Sequence, residues 1–447
     1  MVLVLKNFRI VDETTDAQGA VIVEDGVIKD VYSANAEFTD AAEKAIERAA
    51  CRADIVLDGS TKDPNSSLVL MPAFVDLHAH FREPGFSDNP PSPEGEGSPP
   101  AKETIESACL AAAAGGYGTV ICMANTKPVT DTIKQAQSVK NRSDAIGLID
   151  LYPALSLTKG MEGKELSEIT LFKENQNVLS GNSDVPAPIR LLSEDGKDVA
   201  NDELFLAAMT EARRTGIPVS CHCDLNGENN ATKRAIELGK KAGCKLHIAH
   251  VSTKEAMEMI RDAKKNNNQL SCEVTPHHIA LTEKDAAILG LESFGKVNPP
   301  LRTEDDRRAL IESIVDGTVN AIATDHAPHT SADKEQGAPG FTGLETAFAV
   351  CYSTLVMPGH IGLSKLSSLM SAEPARILGL DQGKAGRGRI EPGLRGDFAI
   401  ADLSTAWTVE PLLFKSRGKN SPFAGNKLHG KIVMAIHNGM IYQHFCR

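Results

Sequence analysis

Two histidines alternate within an apolar stretch of the chain, VDLHAHFREPGF, at residues 75–86. On a β-strand alternate side chains project from the same face, so His78 and His80 are expected to point together from the end of one strand. Two imidazoles side by side indicate a metal site, because neutral imidazole is a common metal ligand. Arg82 continues the alternation, and a guanidinium at such a site can bind a carboxylate through two parallel hydrogen bonds. The stretch therefore predicts a bound cation next to a group that binds anions.

Four more side chains that can bind metals follow other apolar runs of the chain. They are Asp195, His222, His250 and Asp325. Histidine nitrogens together with carboxylate oxygens suit zinc. With His78 and His80 the set exceeds the four ligands of one tetrahedral ion, and such a site can hold two ions that share a bridging water. A lone buried histidine more often makes hydrogen bonds than binds a metal, and the prediction therefore depends on all six residues meeting at one place.

The spacing of the apolar runs indicates the fold that must position these residues. Eight short runs rich in β-branched residues alternate with longer helix-like stretches, which is the pattern of a parallel α/β sheet. We expect strands at residues 73–80, 119–125, 148–155, 188–195, 218–223, 246–252, 270–276 and 319–326. Eight such units predict a (β/α)8 TIM-type barrel, in which active sites lie at the carboxyl ends of the strands. Each of the six candidate ligands stands at or near that end of a predicted strand.

The two ends of the chain differ from its middle. Residues 1–70 carry alternating strands around one acidic helix, and residues 385–447 return to the same pattern. We expect these two segments to form one β-domain that flanks a metal-binding barrel at residues 71–384. Residues 87–101, SDNPPSPEGEGSPPA, are rich in Pro, Gly and Ser and poor in apolar residues, so a mobile loop is predicted after the first barrel strand.

The composition excludes several functional classes. The chain has 447 residues, a formal net charge of −12 and a hydrophobic content of 41%. The negative charge disfavours nucleic acid as a partner, and no apolar run approaches the ~20 residues that span a membrane. The N-terminus has neither a basic leader nor a small-residue cleavage site, and nine cysteines without a CxxC pair argue against a disulfide framework. A cytoplasmic enzyme that acts on a small molecule is therefore expected.

Several motifs occur in an order that resembles one known family. They are DLHAHFREPG, KETIESACLAAAAGGYGTVICMANTKP, SEDG, HVST, EVTPHH, NPPLR, ATDHAPH and GFTGLETA. Together they resemble dihydroorotases of the long barrel type, in the amidohydrolase superfamily. The resemblance implies that a zinc-bound hydroxide opens the cyclic amide of L-dihydroorotate to N-carbamoyl-L-aspartate, and that the reverse reaction serves de novo pyrimidine biosynthesis. Zinc suits this chemistry because it activates water near neutral pH and polarises the carbonyl group.

The resemblance also assigns the metal ligands. His78, His80 and Asp325 would hold one zinc ion, and His222 with His250 would hold a second. Asp325 would also act as general base and general acid, because it would move a proton from the attacking hydroxide to the leaving ring nitrogen.

The ligand that bridges the two ions is expected to be Asp195. Many members of the superfamily use a carboxylated lysine at the end of the fourth strand, but the segment IRLLSEDGKD has no lysine inside the strand. Asp195 takes that place in the dihydroorotases that the chain resembles. Glu194 and Lys197 stay alternatives, because a slip of one residue reverses which side chains face inward.

The substrate-binding residues are likewise implied by the resemblance. Arg82 would bind the carboxylate of dihydroorotate, in agreement with its expected place on the same face as the two histidines. The other expected contacts with the ring amides or the carboxylate are His80, Asn125, Asn298, His329, Pro339 and Gly340. Asn and Gly are also common in turns, so these residues depend on the family match more than the metal ligands do.

Other residues of reactive types near the predicted site are expected to be structural. Cys221 and Cys223 lie on the opposite face of their strand from the histidine between them, so we expect them to pack in the core. His247 is out of register with the ligand on its own strand and should face away from the metals. His277 and His278, which follow strand seven, either support the metal ligands or are structural, and the structural interpretation is favoured.

Two departures from the family and two other functions stay open. Residues 87–101 resemble an insertion, and the interval between His222 and His250 is shorter than in the family. Allantoinases and hydantoinases share the barrel and the paired histidines, but they typically lack an arginine at the position of Arg82 and carry the bridging lysine. The other alternative is a non-catalytic, dihydroorotase-like scaffold that associates with aspartate transcarbamoylase, although all six ligand positions are filled here. The number of zinc ions, one or two, and a homo-oligomeric state also stay open.

Overall fold

Eight parallel strands form a closed ring in the part of the chain that the computed structural model describes, which is residues 1–33, 39–60, 68–85, 102–172, 188–383 and 386–443. The barrel strands, numbered one to eight in chain order, are Phe74–Ala79, Tyr117–Cys122, Asp150–Pro153, Leu192–Ser193, Val219–Cys221, Leu246–Ile248, Leu270–Val274 and Ala321–Ile322. Strands one to three pair in parallel, and so do strands four to eight. Parallel bridges from Leu155 to Leu192 and from Ala79 to His326 join the two sets and close the ring. The predicted (β/α)8 fold class is confirmed.

The observed barrel strands are shorter than the runs predicted for them. Strands four and eight have two residues each, and the chain leaves the strand before it reaches the candidate ligands. His250 and Asp325 have φ angles of 32° and 45°, in the left-handed region. The turns that follow strands six and eight therefore set the orientation of these two side chains, and strand alternation does not.

Helices connect the barrel strands, and one further helix, Asp40–Ala50, lies between two strands at the N-terminal end of the chain. The α-helices are Asp40–Ala50, Ile105–Ala114, Ile133–Ile146, Asp202–Thr215, Glu228–Ala242, Lys254–Lys264, Pro276–Ala280, Glu283–Leu289, Glu304–Val315, Ser331–Glu335, Ala347–Cys351, Leu363–Ser367 and Glu373–Ile377. The helix Ile105–Ala114 illustrates how local sequence fixes these elements. Thr104 and Ser107 form a reciprocal capping box at its start, and Gly116 adopts a left-handed φ of 83° just after its end. Between strands three and four the described residues form two 3-10 turns, Lys159–Met161 and Glu168–Leu171.

A second, mostly antiparallel sheet is built from both ends of the chain. Its strands are Val2–Val11, Asp16–Glu24, Val27–Ser33, Ile55–Asp58, Leu68–Pro72, Phe398–Asp402, Lys431–His437 and Met440–Gln443. The strand Phe398–Asp402 pairs with Leu68–Pro72, and Leu68–Pro72 leads through Ala73 into the first barrel strand. This sheet has a core of its own, in which Leu5, Phe398 and other apolar side chains pack together. The β-domain expected to flank the barrel is therefore present. The domain boundaries at residues 70/71 and 384/385 stay a prediction.

Two other expectations concern a loop and the absence of membrane-spanning segments. The predicted loop at residues 87–101 lies outside the described residues. Within the described ranges, every helix is too short or too polar to cross a lipid bilayer.

Candidate active site

Two groups of buried metal-ligand side chains share one carboxylate at the end of the barrel. His78, His80 and Asp195 form the first group, and Asp195, His222 and His250 form the second. In each group the candidate donor atoms lie within 4.8 Å of one another. The distances from Asp195 Oδ1 are 3.1 Å to His78 Nε2, 3.2 Å to His222 Nδ1 and 3.7 Å to His250 Nε2. Asp195 therefore lies where a ligand that bridges two cations would be needed.

Asp325 completes the set of six predicted ligands. Its Oδ1 lies 3.1 Å from His80 Nε2 and 3.6 Å from His78 Nε2. All six side chains are buried, although they come from strand ends far apart in the chain. The structure thus brings together all six residues that the sequence singled out as candidate metal ligands.

The donor atoms of this cluster fit a divalent cation. Two buried donor atoms of this cluster have no hydrogen-bond partner within the described ranges: His78 Nε2 and Asp195 Oδ1. Buried polar atoms are rarely left unsatisfied, and a cation held between imidazole nitrogens and carboxylate oxygens would satisfy them.

The charges of the buried carboxyl groups agree with this assignment. Burial opposes ionisation of Asp325, but its hydrogen bond with His80 and the nearby His78 hold the pKa of Asp325 well below its usual range. For Asp195 the same effect of burial is outweighed by the nearby imidazole groups of His78, His222 and His250, so its pKa is also lowered. Both groups are therefore carboxylates at neutral pH, as metal ligands must be.

A buried carboxylate behind the cluster holds one of the histidines in place. Glu273 Oε1 lies 3.0 Å from His78 Nδ1, and Glu273 Oε2 lies 3.0 Å from His247 Nε2. His247 Nδ1 in turn lies 2.8 Å from the hydroxyl group of Ser271. Burial opposes ionisation of Glu273, but its contacts with His247 and His78 outweigh this effect and lower the pKa of Glu273 to about 2. A carboxylate that accepts the Nδ1 proton of His78 leaves Nε2 free to bind a metal.

Sequence reasoning missed Glu273, although one signal for it was present. Glu273 lies inside the apolar seventh strand, and a glutamate at such a position is rarely buried without a partner. His247 was expected to face away from the metals, and it belongs to neither ligand group. It still contributes to the site indirectly, because it shares Glu273 with His78.

Glu273→Gln is expected to weaken metal binding about 10- to 100-fold. Glu273 accepts a hydrogen bond from two histidines, and the amide of glutamine can accept from only one of them, so His78 loses its fixed tautomer. Competition with a chelator for Zn²⁺ measures the change. Ser271→Ala, at the far end of the same chain of hydrogen bonds, is the matched control and should change affinity much less. Equal affinity of Glu273→Gln and wild type would contradict the orienting role.

Arg82 and His329 form a polar group next to the metal ligands. Arg82 Nη2 lies 3.1 Å from His329 Nε2, and Arg82 Nε donates to the carbonyl oxygen of Pro328 at 3.3 Å. Burial lowers the pKa of Arg82 to about 10, so the guanidinium stays charged at neutral pH. Arg82 follows the end of strand one and has a φ of 58°. A turn therefore sets its position, and the alternation of side chains along a strand, from which its position was predicted, does not apply.

The two candidate asparagines contact metal ligands directly. Asn125 Oδ1 lies 3.0 Å from His80 Nδ1, and its Nδ2 donates to Asp195 Oδ2 at 3.2 Å. Asn298 Nδ2 lies 3.0 Å from His222 Nε2. Both amides are therefore at the predicted site, in contact with the side chains that would face a substrate.

Pro339 and Gly340 lie beside His329. The carbonyl oxygen of Pro339 is 3.0 Å from His329 Nε2. Gly340 has a φ of 134°, and a Cβ atom at this position would lie only 2.5 Å from the Cβ of Ala327. A glycine is therefore required here by both backbone conformation and close approach.

The alternatives for the bridging position make other contacts. Glu194 accepts hydrogen bonds from the backbone N–H groups of Leu157 and Thr158, and Lys197 Nζ donates to the carbonyl oxygen of Met161 at 3.2 Å. Neither side chain belongs to the two ligand groups found in the described ranges. The geometry thus places Asp195 at the shared position.

The remaining reactive residues near the site are packed in the protein. Cys221 and Cys223 are buried, and burial raises the pKa of both thiols. His278 has contacts of 2.8 Å with the Thr275 hydroxyl group and 3.0 Å with the Pro299 carbonyl oxygen, as expected for a structural residue. His277 packs edge-on against a phenylalanine ring, and its Nε2 has no hydrogen-bond partner among the described residues.

Comparison with known proteins identifies relatives along the whole chain. The sequence profile of the amidohydrolase family matches residues 69–441. Dihydroorotase from Clostridium botulinum (strain Eklund 17B / Type B) is 35% identical over 454 residues, which cover 99% of each chain. Dihydroorotase from Thermoanaerobacter sp. (strain X514) is 36% identical over 450 residues, which cover 94% of this chain and 96% of the relative. The family match and the two ligand groups together support a divalent metal cofactor.

Solved structures with the same fold are more distant in sequence. L-hydantoinase (dihydropyrimidinase) from Arthrobacter aurescens superimposes with a TM-score of 0.79 at 21% identity and covers 99% of this chain and 96% of its own. Dihydropyrimidinase from Brevibacillus agri NCHU1002 superimposes with a TM-score of 0.76 at 19% identity, covering 99% and 95% of the two chains. At this level of identity the likeness concerns the fold alone.

Proposed function

Because this chain belongs to the amidohydrolase family, and to its dihydroorotases by full-length similarity, we propose that it interconverts L-dihydroorotate and N-carbamoyl-L-aspartate in pyrimidine biosynthesis. The observation that carries the proposal is the partly buried guanidinium of Arg82, which lies against His329 beside a cluster of six candidate metal ligands. A ring-opening enzyme for this substrate needs both features, because the substrate has an unreactive amide and a carboxylate.

We assign the metal as zinc, with one or two ions per chain. The candidate ligands are His78, His80, Asp195, His222, His250 and Asp325. Bound zinc would supply Lewis acidity toward the ring carbonyl and would lower the pKa of water toward neutrality. Four of the six candidate ligands are histidines, and zinc binds imidazole nitrogen well. Magnesium and calcium prefer oxygen ligands, so this set supports zinc.

Asp325 is the proposed general base and general acid. It is ionised at neutral pH, and its Oδ1 is held 3.1 Å from His80 Nε2. In the hydrolytic direction Asp325 takes a proton from the attacking water as the new C–O bond forms. It then gives this proton to the ring nitrogen as the C–N bond breaks, so that the ureido group leaves neutral.

The other side chains would orient the substrate. Arg82 and His329 are assigned to its carboxylate, since a guanidinium can form two parallel hydrogen bonds with a carboxylate. The remaining proposed contacts are His80, Asn125, Asn298, Pro339 and Gly340. The amides of the asparagines can donate and accept at once, which suits the paired N–H and C=O groups of the ring.

Turnover assays of the purified protein with dihydroorotate, hydantoin and allantoin test this function, with the metal content measured on the same sample. We expect bound zinc and opening of dihydroorotate. Metal-loaded protein that opens only hydantoin or allantoin would overturn the substrate assignment. Protein without bound metal and without activity would instead favour a scaffold role.

The two rival functions have less support from the residues present. Hydantoinase-type enzymes typically carry a bridging lysine, whereas Lys197 contacts a backbone carbonyl oxygen and Asp195 is shared by both ligand groups. A non-catalytic scaffold needs no metal ligands, whereas here all six candidate side chains converge. We therefore favour the dihydroorotase reaction.

Arg82→Lys is expected to lower kcat/KM for dihydroorotate on the order of tenfold or more, chiefly through KM. Lysine keeps the charge but loses the planar fork that matches a carboxylate. The zinc content should stay unchanged, because Arg82 is not a metal ligand. Arg308→Lys, a conservative change at an exposed helix position, is the matched control. If KM is unaffected in Arg82→Lys and also in Arg82→Ala, another cation binds the substrate carboxylate.

We also propose a cytoplasmic location, and a small molecule as the principal partner. Homo-oligomerisation and association with aspartate transcarbamoylase are further proposals. Light scattering of the protein alone and mixed with aspartate transcarbamoylase measures both, and an unchanged monomer mass would contradict both.

A further inference from the structure

A fully buried lysine lies beside the candidate substrate pocket. Lys334, in the helix Ser331–Glu335, has no solvent-exposed surface. Its Nζ donates to three backbone carbonyl oxygens, those of Lys296 at 2.8 Å, Ala338 at 2.8 Å and Gly340 at 2.9 Å. No carboxylate among the described residues lies within ion-pair distance of this ammonium group. Burial lowers the pKa of Lys334 to about 8, so burying the lysine here is energetically unfavourable and calls for a structural or functional reason.

The three carbonyl groups belong to the two loops that carry proposed substrate contacts. Lys296 precedes Asn298 by two residues, and Ala338 and Gly340 stand on either side of Pro339. The backbone N–H of Gly340 also donates to the Lys296 carbonyl oxygen at 3.0 Å. Lys334 therefore fixes the loop of Asn298 relative to the loop of Pro339 and Gly340.

The same carbonyl group of Gly340 is held from a second direction. Asn420 Nδ2 donates to the carbonyl oxygens of Gly340 at 3.0 Å and Ala327 at 3.2 Å. Asn420 Oδ1 accepts from the backbone N–H of His329 at 3.0 Å. Through Gly340, the hydrogen bonds of Lys334 thus continue to the segment that carries His329.

We propose that Lys334 is a positioning residue for the ring substrate, which keeps the loops of Asn298 and of Pro339 and Gly340 at the separation that a bound substrate requires. This inference rests on the proposed function. An ammonium group suits the task because it has three donors and no acceptor, and so can hold three carbonyl groups at once. Loops that drift apart would weaken the contacts with the substrate equally in the ground state and in the transition state, which raises KM and leaves kcat nearly unchanged.

Steady-state kinetics of Lys334→Met test the proposal, with zinc content and melting temperature measured on the same samples. Methionine has a similar length but no donors. We expect KM for dihydroorotate to rise about tenfold or more, with kcat within about threefold of wild type and zinc content unchanged. Lys334→Gln, which keeps a side-chain amide donor, should recover part of the loss.

Lys296→Met is the matched control. The Lys296 side chain is partly exposed and pairs with Glu292, and only its backbone carbonyl oxygen contacts Lys334. Removing this ammonium group should leave KM within about twofold of wild type.

Three results would overturn the proposal. They are an unchanged KM in Lys334→Met, an equal rise of KM in Lys296→Met, and failure of both Lys334 variants to fold, which would assign Lys334 to stability alone. Wild-type protein in the same assay separates this inference from the proposed function. An inactive wild type refutes the reaction, whereas an active wild type with an unaffected Lys334→Met variant refutes only the positioning role.

Discussion

Replacing Asp325 by asparagine is expected to lower turnover of dihydroorotate on the order of a thousandfold, because the amide cannot carry a proton between water and the ring nitrogen. The side chains have nearly the same size, and Asp325 contacts His80 and His78 within a preformed barrel. The fold should therefore persist, with a melting temperature close to that of the wild type. Single-turnover kinetics on metal-loaded protein measure the effect on chemistry rather than on binding.

The interpretation of this variant needs two comparisons. Asp305→Asn removes one carboxylate charge from an exposed helix position and should keep wild-type turnover. Zinc content measured on Asp325→Asn shows whether lost activity reflects lost metal. Turnover within a few-fold of wild type at equal metal content would rule out Asp325 as the proton carrier.

Replacing Asp195 by asparagine is expected to reduce the bound metal and to lower turnover on the order of a hundredfold or more. Asp195 is the one residue shared by both ligand groups, and its Oδ1 lies close to His78 and His222 at once. A neutral amide at this position attracts cations less strongly and offers one oxygen instead of two. Metal analysis of the purified variant after dialysis measures the loss.

Lys197→Met is the variant that decides between the two candidate bridging residues. If a modified lysine bridged the ions, this variant would lose metal as well. The Lys197 ammonium donates to the Met161 carbonyl oxygen, so we expect zinc content close to wild type. The opposite pattern, in which Asp195→Asn keeps its metal and Lys197→Met loses it, would assign the bridge to lysine.

The fold and the candidate metal ligands could be predicted because both depend on repeated, local signals. Eight apolar runs predicted eight strands, and the rule that barrel sites lie at the carboxyl ends of strands predicted where His78, His222 and Asp325 should meet. The strand boundaries were less predictable. Strands four and eight have two residues each, since the chain turns before the residues at the site.

The residues that support the site were harder to predict, for physical reasons that differ. Glu273 acts through two histidines on other strands, and a single sequence carries no record of such contacts. Lys334 and Asn420 bind backbone carbonyl oxygens, which every residue has, so no residue type at the partner position reveals the contact. The left-handed backbone at Arg82 and His250 also lies beyond the reach of strand periodicity.

The bridge between Ala79 and His326 joins the first and last strands of the barrel, and this has a consequence for how the protein is made. A chain emerging from the ribosome exposes His78 and His80 long before Asp325 is synthesised. Until then the nascent chain contains only part of the ligand set, so we expect tight binding of a divalent metal only after the eighth strand closes the ring. We therefore expect metal loading to be a late step that follows synthesis of most of the chain, and fragments that end before residue 325 should not retain the ion.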